Sequence, residues 1–306
     1  MKRVAMFTHQ ACLGHDPGPG HAESPARLRA VLRQLEHPDF SALLREQAPL
    51  ASREQLCRMH QAAYVDATLA LDPPAGELLM LDSDTFVSQG SVAAARHAAG
   101  GAIAAVDAVL DGWADAAFAA VRPPGHHAEA AQAMGFCLFN SAAIAAQQAR
   151  SRGLRRVAVV DFDVHHGNGT QHMFEADPDL FYASSHQMPC YPGTGAAGET
   201  GIAHNIVNLP LRPGQGSAAF HAVWSQTGLP ALRAFAPELI IVSAGFDAHR
   251  ADPLAQLNLD AADFGWITGE LLAAGGGRLV SILEGGYDLD ALAECAGVHV
   301  RRLIAG

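Results

Sequence analysis

The sequence predicts an α/β fold: a single doubly wound domain over residues 1–306, with a mainly parallel sheet flanked by helices. Three observations predict it. Short apolar runs alternate with longer Ala- and Leu-rich segments, as β and α elements do when they alternate along a chain. Runs such as 157–160 and 239–242 are apolar at every position, which suits strands buried on both faces of a parallel sheet. Clusters of His, Asp and Gly follow several of these runs, and open parallel sheets bind ligands beyond the carboxyl ends of their strands.

Strands are expected at residues 4–8, 116–121, 156–163, 180–184, 206–209, 239–243 and 279–284. Helices are expected at 25–36, 89–111, 140–152, 217–235, 260–274 and 288–303. Ser24 reads as an N-cap followed by Pro25 at the first helical position, and Asn140 and Asp260 can cap in the same way.

Composition narrows the function. Of 306 residues, 49% are hydrophobic and 17% charged, enough for a large core. Lys and Arg number 20 against 31 Asp and Glu, a net charge of −11. That balance argues against nucleic acid and leaves cationic or neutral substrates open. The five cysteines are odd in number and scattered, without a CxxC pair. A reducing cytosol fits them better than a disulfide framework or a Cys-type zinc site. The apolar run after Lys2 and Arg3 stops at His9, too short for a signal-peptide core. No stretch reaches the roughly 18 apolar residues of a membrane span, so a cytoplasmic protein is expected.

The strongest chemical signal is Asp161-Phe162-Asp163-Val164-His165-His166-Gly167-Asn168. Alternate residues of a strand share a face, so Asp161, Asp163 and His165 are expected to point together. Two buried carboxylates and an imidazole are costly unless paired or metal-bound, and their donors suit a divalent ion such as Zn2+. The bland alternative is a helix cap and a polar turn. Arg122-Pro123-Pro124-Gly125-His126-His127 presents adjacent imidazoles, surface residues if alone but candidates for proton transfer beside a metal. After the run at 239–243, Asp247 is a candidate third ligand, with His249 and Asp252 competing for the role. Glu284-Gly285-Gly286-Tyr287 places a phenol behind two glycines, able to reach a substrate oxygen or simply packed on a turn. No phosphate-binding glycine fingerprint, GxSxG elbow or HExxH helix is present.

Taken together with His21-Ala22-Glu23-Ser24-Pro25-Ala26-Arg27 and Gly135-Phe136-Cys137-Leu138-Phe139-Asn140, these motifs resemble the histone deacetylase family of the arginase/deacetylase superfamily over nearly the whole chain. Asn168, where class I members have Asp, aligns the wording with class II and bacterial histone deacetylase-like amidohydrolases. The resemblance implies an arginase/deacetylase-like fold and one catalytic Zn2+ per chain, held by Asp163, His165 and Asp247. It implies His126 and His127 as an acid/base pair backed by Asp161 and Asn168, and Tyr287 as the group that polarises the carbonyl. Gly135 and Phe136 would line an acyl-lysine-shaped tunnel opposite Tyr191. Asp161 and Ser184 would contribute to a structural K+ site. The binuclear manganese hydrolases of the same superfamily need further carboxylates, and Gly167 and His249 stand at those positions.

The implied activity is a zinc-dependent deacetylase or amidohydrolase acting on linear amides through metal-activated water. Acetylpolyamines and small xenobiotic amides are alternative substrates to acyl-lysine, and a non-catalytic acyl-binding pseudoenzyme is the rival of another class. Leu254 stands where polyamine-selective relatives carry an acidic gatekeeper, which favours acyl-lysine or a neutral amide. Asp84 is the candidate for contacting substrate backbone at the rim. No nucleic-acid or membrane partner is expected, and a homo-oligomer is left open.

Overall fold

The computed structural model describes residues 1–306. Its strands are β1 (Val4–Thr8), β2 (Leu44–Gln47), β3 (Leu79–Asp82), β4 (Thr85–Val87), β5 (Ala116–Ala119), β6 (Val157–Asp161), β7 (Leu180–Gln187), β8 (Ile206–Leu211), β9 (Leu239–Ala244) and β10 (Leu279–Leu283). Its α-helices are α1 (Pro25–Leu35), α2 (Arg53–Leu56), α3 (Ala62–Leu69), α4 (Ser91–Leu110), α5 (Ser141–Ser151), α6 (Asn168–Phe174), α7 (Ser217–Val223), α8 (Leu229–Phe235), α9 (Ala261–Ala274) and α10 (Leu289–Ala305). None is long and apolar enough to cross a membrane.

Eight strands form one sheet in the order β2-β1-β5-β10-β9-β6-β7-β8, and every pairing in it is parallel. Helices flank it: α4 packs with α5, and α1 packs with α10, which packs with α9. This is the expected α/β architecture. Every residue of β5, β6, β9 and β10 is buried, which is why those runs carry no polar alternation. The four are contiguous in the sheet. Every polar cluster singled out in the sequence follows one of them, so all four clusters emerge at one rim.

Several expectations need correction. The strand expected to reach residue 163 ends at Asp161. Asp161 Oδ1 accepts the Asp163 N–H at 3.0 Å, and Asp163 Oδ1 accepts the His165 N–H at 2.9 Å. These two side-chain turns bend the chain out of the ladder, so a strand's period of two is not what unites the three residues. The helix expected over 217–235 is interrupted by a π turn at Trp224–Gly228, which places Pro230 in the first turn of α8, where its missing N–H leaves no gap. Ser24 occupies the N-cap position of α1, yet its hydroxyl caps nothing; the Arg27 N–H bonds the Ser24 carbonyl at 3.1 Å instead. Asn140 does cap α5, accepting from the Ala143 N–H. At α9 the reach-back comes from Asp263, whose carboxylate accepts the Asp260 N–H at 2.8 Å.

Candidate metal centre and its cavity

The chain leaving β6 and the loop leaving β9 meet at three side chains. Ligand atoms of Asp163, His165 and Asp247 lie within 4.8 Å of one another, and all three residues are buried. His165 Nδ1 stands 3.2 Å from both Asp163 Oδ1 and Asp247 Oδ2. The remaining oxygens are fixed by backbone: Val164 N–H donates to Asp247 Oδ1 at 2.8 Å, and Gly285 N–H to Asp163 Oδ2 at 2.8 Å. Two glycines shape the cradle. A Cβ at Gly245 would fall 2.0 Å from Asp163 Oδ2, and one at Gly285 would fall 2.1 Å from Asp247 Oδ2.

Charge in this trio is unbalanced. Burial and the adjacent Asp163 carboxylate push Asp247 up to about 7. Burial alone would raise Asp163 too, but the His126 charge and the His165 hydrogen bonds bring it below the usual carboxylate range. Two oxygen donors and one imidazole suit a single borderline divalent cation, and three protein ligands leave a coordination position for a reactant. Of the competitors for the third ligand, His249 instead accepts the Ala251 N–H, and Asp252 accepts the Tyr287 and Leu254 N–H groups.

The two histidines that follow β5 stand beside this trio, ring centroids 4.0 Å apart, with different partners. His126 Nδ1 is 3.0 Å from Asp161 Oδ2, which also accepts the Tyr182 hydroxyl at 3.0 Å. Burial opposes its charge, but Asp163 and Asp161 outweigh that and raise His126 to about 10. His127 Nδ1 is 2.8 Å from Asn168 Oδ1, a neutral partner. Burial and the neighbouring His126 charge push His127 well below the ordinary imidazole value. Burial likewise keeps the Tyr287 phenol protonated, well above 10.

A cavity of about 300 Å³ opens onto this group. Asp84, His127, Gly135, Phe136, His165, Tyr191, Leu254 and Tyr287 line it, with Cys190. Sequence reasoning had named all of these except Cys190 for the site. His126, Asp161 and Asn168 lie behind the lining. Ser184 pairs in register with Asp161 on the neighbouring strand, its hydroxyl 2.9 Å from His186 Nδ1.

Other residues that build the site had no assigned role. Glu284 Oε2 accepts the Gly125 and His126 N–H groups at 2.6 and 3.2 Å and so pins the His-His loop to the loop after β10. Arg27 bonds the carbonyls of Glu284 and Gly286, and its guanidinium lies 4.8 Å from the Tyr287 ring centroid. Glu23 in turn holds Arg27 at 3.0 Å and Arg122 at 2.5 Å. The available signal was Glu284 at the end of the apolar run over 279–284 and Arg27 in the first turn of the helix expected at 25–36.

Comparison with known proteins agrees with this geometry. A model described as the histone deacetylase domain matches residues 21–303. A histone deacetylase-like amidohydrolase of Pseudomonas aeruginosa is 40% identical across 100% of this chain and 87% of that protein. A probable deacetylase of Methanothermobacter thermautotrophicus is 41% identical across 89% of this chain and 82% of its own length. Among solved structures, the HDA15 HD domain superimposes with a TM-score of 0.93 at 36% identity, covering 98% of this chain and 88% of that one.

Proposed function

This chain belongs to the histone deacetylase family, and from that premise we propose that it is a zinc-dependent amidohydrolase that removes acetyl or related acyl groups from lysine-like or other amines. The observation that carries the reading is the buried Asp163–His165–Asp247 trio opening onto a cavity that also exposes His127 and Tyr287. Zn2+ bound by that trio would supply a Lewis acid for the carbonyl and lower the pKa of a bound water.

The remaining chemistry belongs to side chains. His127 lines the cavity and is neutral, so it accepts the proton of the attacking water. It then returns that proton to the leaving nitrogen, which an amide requires because a free amide anion leaves poorly. His126, its Nδ1 held 3.0 Å from Asp161 Oδ2, would stabilise negative charge as it develops. Tyr287 keeps its proton and donates a hydrogen bond to the oxyanion. Gly135, Phe136 and Tyr191 form walls, with Asp84 and Leu254 also in the lining. Leu254 offers no charge to a polyamine, so acyl-lysine or a neutral amide is the favoured substrate. The same reading assigns Asp161 and Ser184 to a structural K+ site and residues 1–306 to one catalytic domain.

The test is a hydrolysis screen of Zn2+-reconstituted protein against acetyl-lysine peptides, acetylpolyamines, longer acyl chains and aryl or alkyl amides, with Leu254→Glu beside wild type. Acetyl-lysine turnover above acetylspermidine turnover is expected, with Leu254→Glu shifting the balance towards the polyamine. A strong wild-type preference for acetylspermidine would refute the Leu254 assignment. A metal-loaded protein that hydrolyses no amide would refute the enzyme.

A further inference from the structure

One wall of the cavity is held in a backbone conformation that its side chain disfavours. Met134 and Cys137 pair across a two-residue hairpin, Met134 N–H to Cys137 carbonyl at 3.2 Å and the return bond at 2.9 Å. The residues between them, Gly135 and Phe136, have φ of 56° and 69°. Two successive positive φ values are what a tight primed hairpin turn demands. Glycine accepts this freely, and a Cβ at 135 would fall 2.4 Å from His127 Cδ2. Phenylalanine does not, and such a residue persists only where its surroundings enforce it.

The restraint comes from β4. Phe136 N–H donates to Thr85 Oγ1 at 3.0 Å. Thr85 is fully buried, and its hydroxyl donates onward to Asp84 Oδ1 at 3.1 Å. The Phe136 ring is set edge-on to His21 and Tyr287, at centroid distances of 4.7 and 5.9 Å. Asp84, Phe136 and Tyr287 all line the cavity; Thr85 does not.

We propose that Thr85 is a specificity-determining positioning residue, whose hydroxyl ties Phe136 to Asp84 and keeps the cavity narrow enough to prefer an unbranched alkyl amide over an aromatic one. The proposal rests on the amidohydrolase reading and names its substrate class: an acylated amine on a linear alkyl stem. Thr85 acts through Phe136. Without the hydroxyl, the Phe136 N–H loses its acceptor, the left-handed backbone loses a restraint, and the ring can swing aside.

The experiment uses Thr85→Val, nearly isosteric but without the hydroxyl, and Thr85→Ser, which keeps it. Zinc-loaded protein is assayed with an acetyl-lysine peptide and with an acetylated aromatic amine. The ratio of the two kcat/KM values is expected to fall about tenfold in Thr85→Val and to stay within about twofold of wild type in Thr85→Ser. Hydrogen exchange at the Phe136 amide, measured without substrate, should be faster by about tenfold in Thr85→Val alone. Wild-type turnover with an unchanged ratio in Thr85→Val overturns the role of Thr85, whatever the exchange result, and leaves the amidohydrolase reading intact. Absence of wild-type turnover of any amide overturns that reading, and the specificity claim falls with it.

Discussion

Two groups of buried acid in this molecule, at Glu23 and at Asp163 with Asp247, are balanced differently. Glu23 meets Arg27, Arg122 and His15, all within 3.2 Å and all buried. Burial opposes its ionisation, but Arg122 and His15 hold it well below 4.5. Its charge is more than matched by protein groups. Asp163 and Asp247 share the His165 imidazole; His126 lowers Asp163 as well, yet Asp247 still rises to about 7. A fully compensated carboxylate builds structure; an under-compensated pair is a place for a cation.

That contrast can be broken at either end. The largest effect is expected at the under-compensated pair. Asp247→Asn should abolish zinc uptake, measured by elemental analysis, and with it several kcal/mol of Lewis-acid stabilisation, lowering turnover by about 10³-fold or more. A folded Asp247→Asn protein that still binds one zinc and hydrolyses amides would remove the basis of the contrast. Next comes His127→Ala, which leaves all three proposed ligands in place. Turnover should fall by about 10²–10⁴-fold with zinc content unchanged.

At the compensated end, Glu23→Gln should lower stability to denaturant by about 3–5 kcal/mol, because two guanidiniums would be left buried without their carboxylate. The pH dependence follows from the sign of the shift. A depressed carboxylate contributes stability that is fully present above its unfolded value of 4.5 and is lost as pH falls through the lower folded value. The wild-type denaturation midpoint should therefore drop on acidification below that point, and Glu23→Gln should flatten the drop.

The smallest change sharpens the comparison within the site. Asn168→Asp would give His127 a charged partner in place of a neutral one and raise its pKa by about one unit. The base works only when neutral, so the acidic limb of kcat/KM should move to higher pH. A stationary limb would count against His127 as the proton acceptor.

Much of this was legible in the sequence. Strands with every residue buried, such as β6 and β9, announce themselves as unbroken apolar runs. β2 does not, because Leu44, Arg45, Glu46 and Gln47 are all exposed at the sheet edge. The β3–β4 hairpin is short and lies outside the main sheet, and α6 begins inside a motif read for its metal-binding chemistry rather than for helix. In the site, donor chemistry at a strand end pointed to Asp163 and His165, whereas Asp247 was one of three candidates until the family resemblance singled it out. Glu284 and Thr85 were given no role, since their importance depends on distant partners: Glu284 meets Gly125 across 159 residues, and Thr85 meets Phe136 across 51.

The position of β10 has a further consequence. It lies between β5 and β9, although it follows both of them, and every other strand of residues 1–306, in chain order. The two halves of the sheet are joined only through residues 279–283, and Glu284, Gly285 and Tyr287 follow directly behind them. Without β10 the two halves of the sheet would share no common strand, and Asp163 would lose the Gly285 N–H that holds its Oδ2.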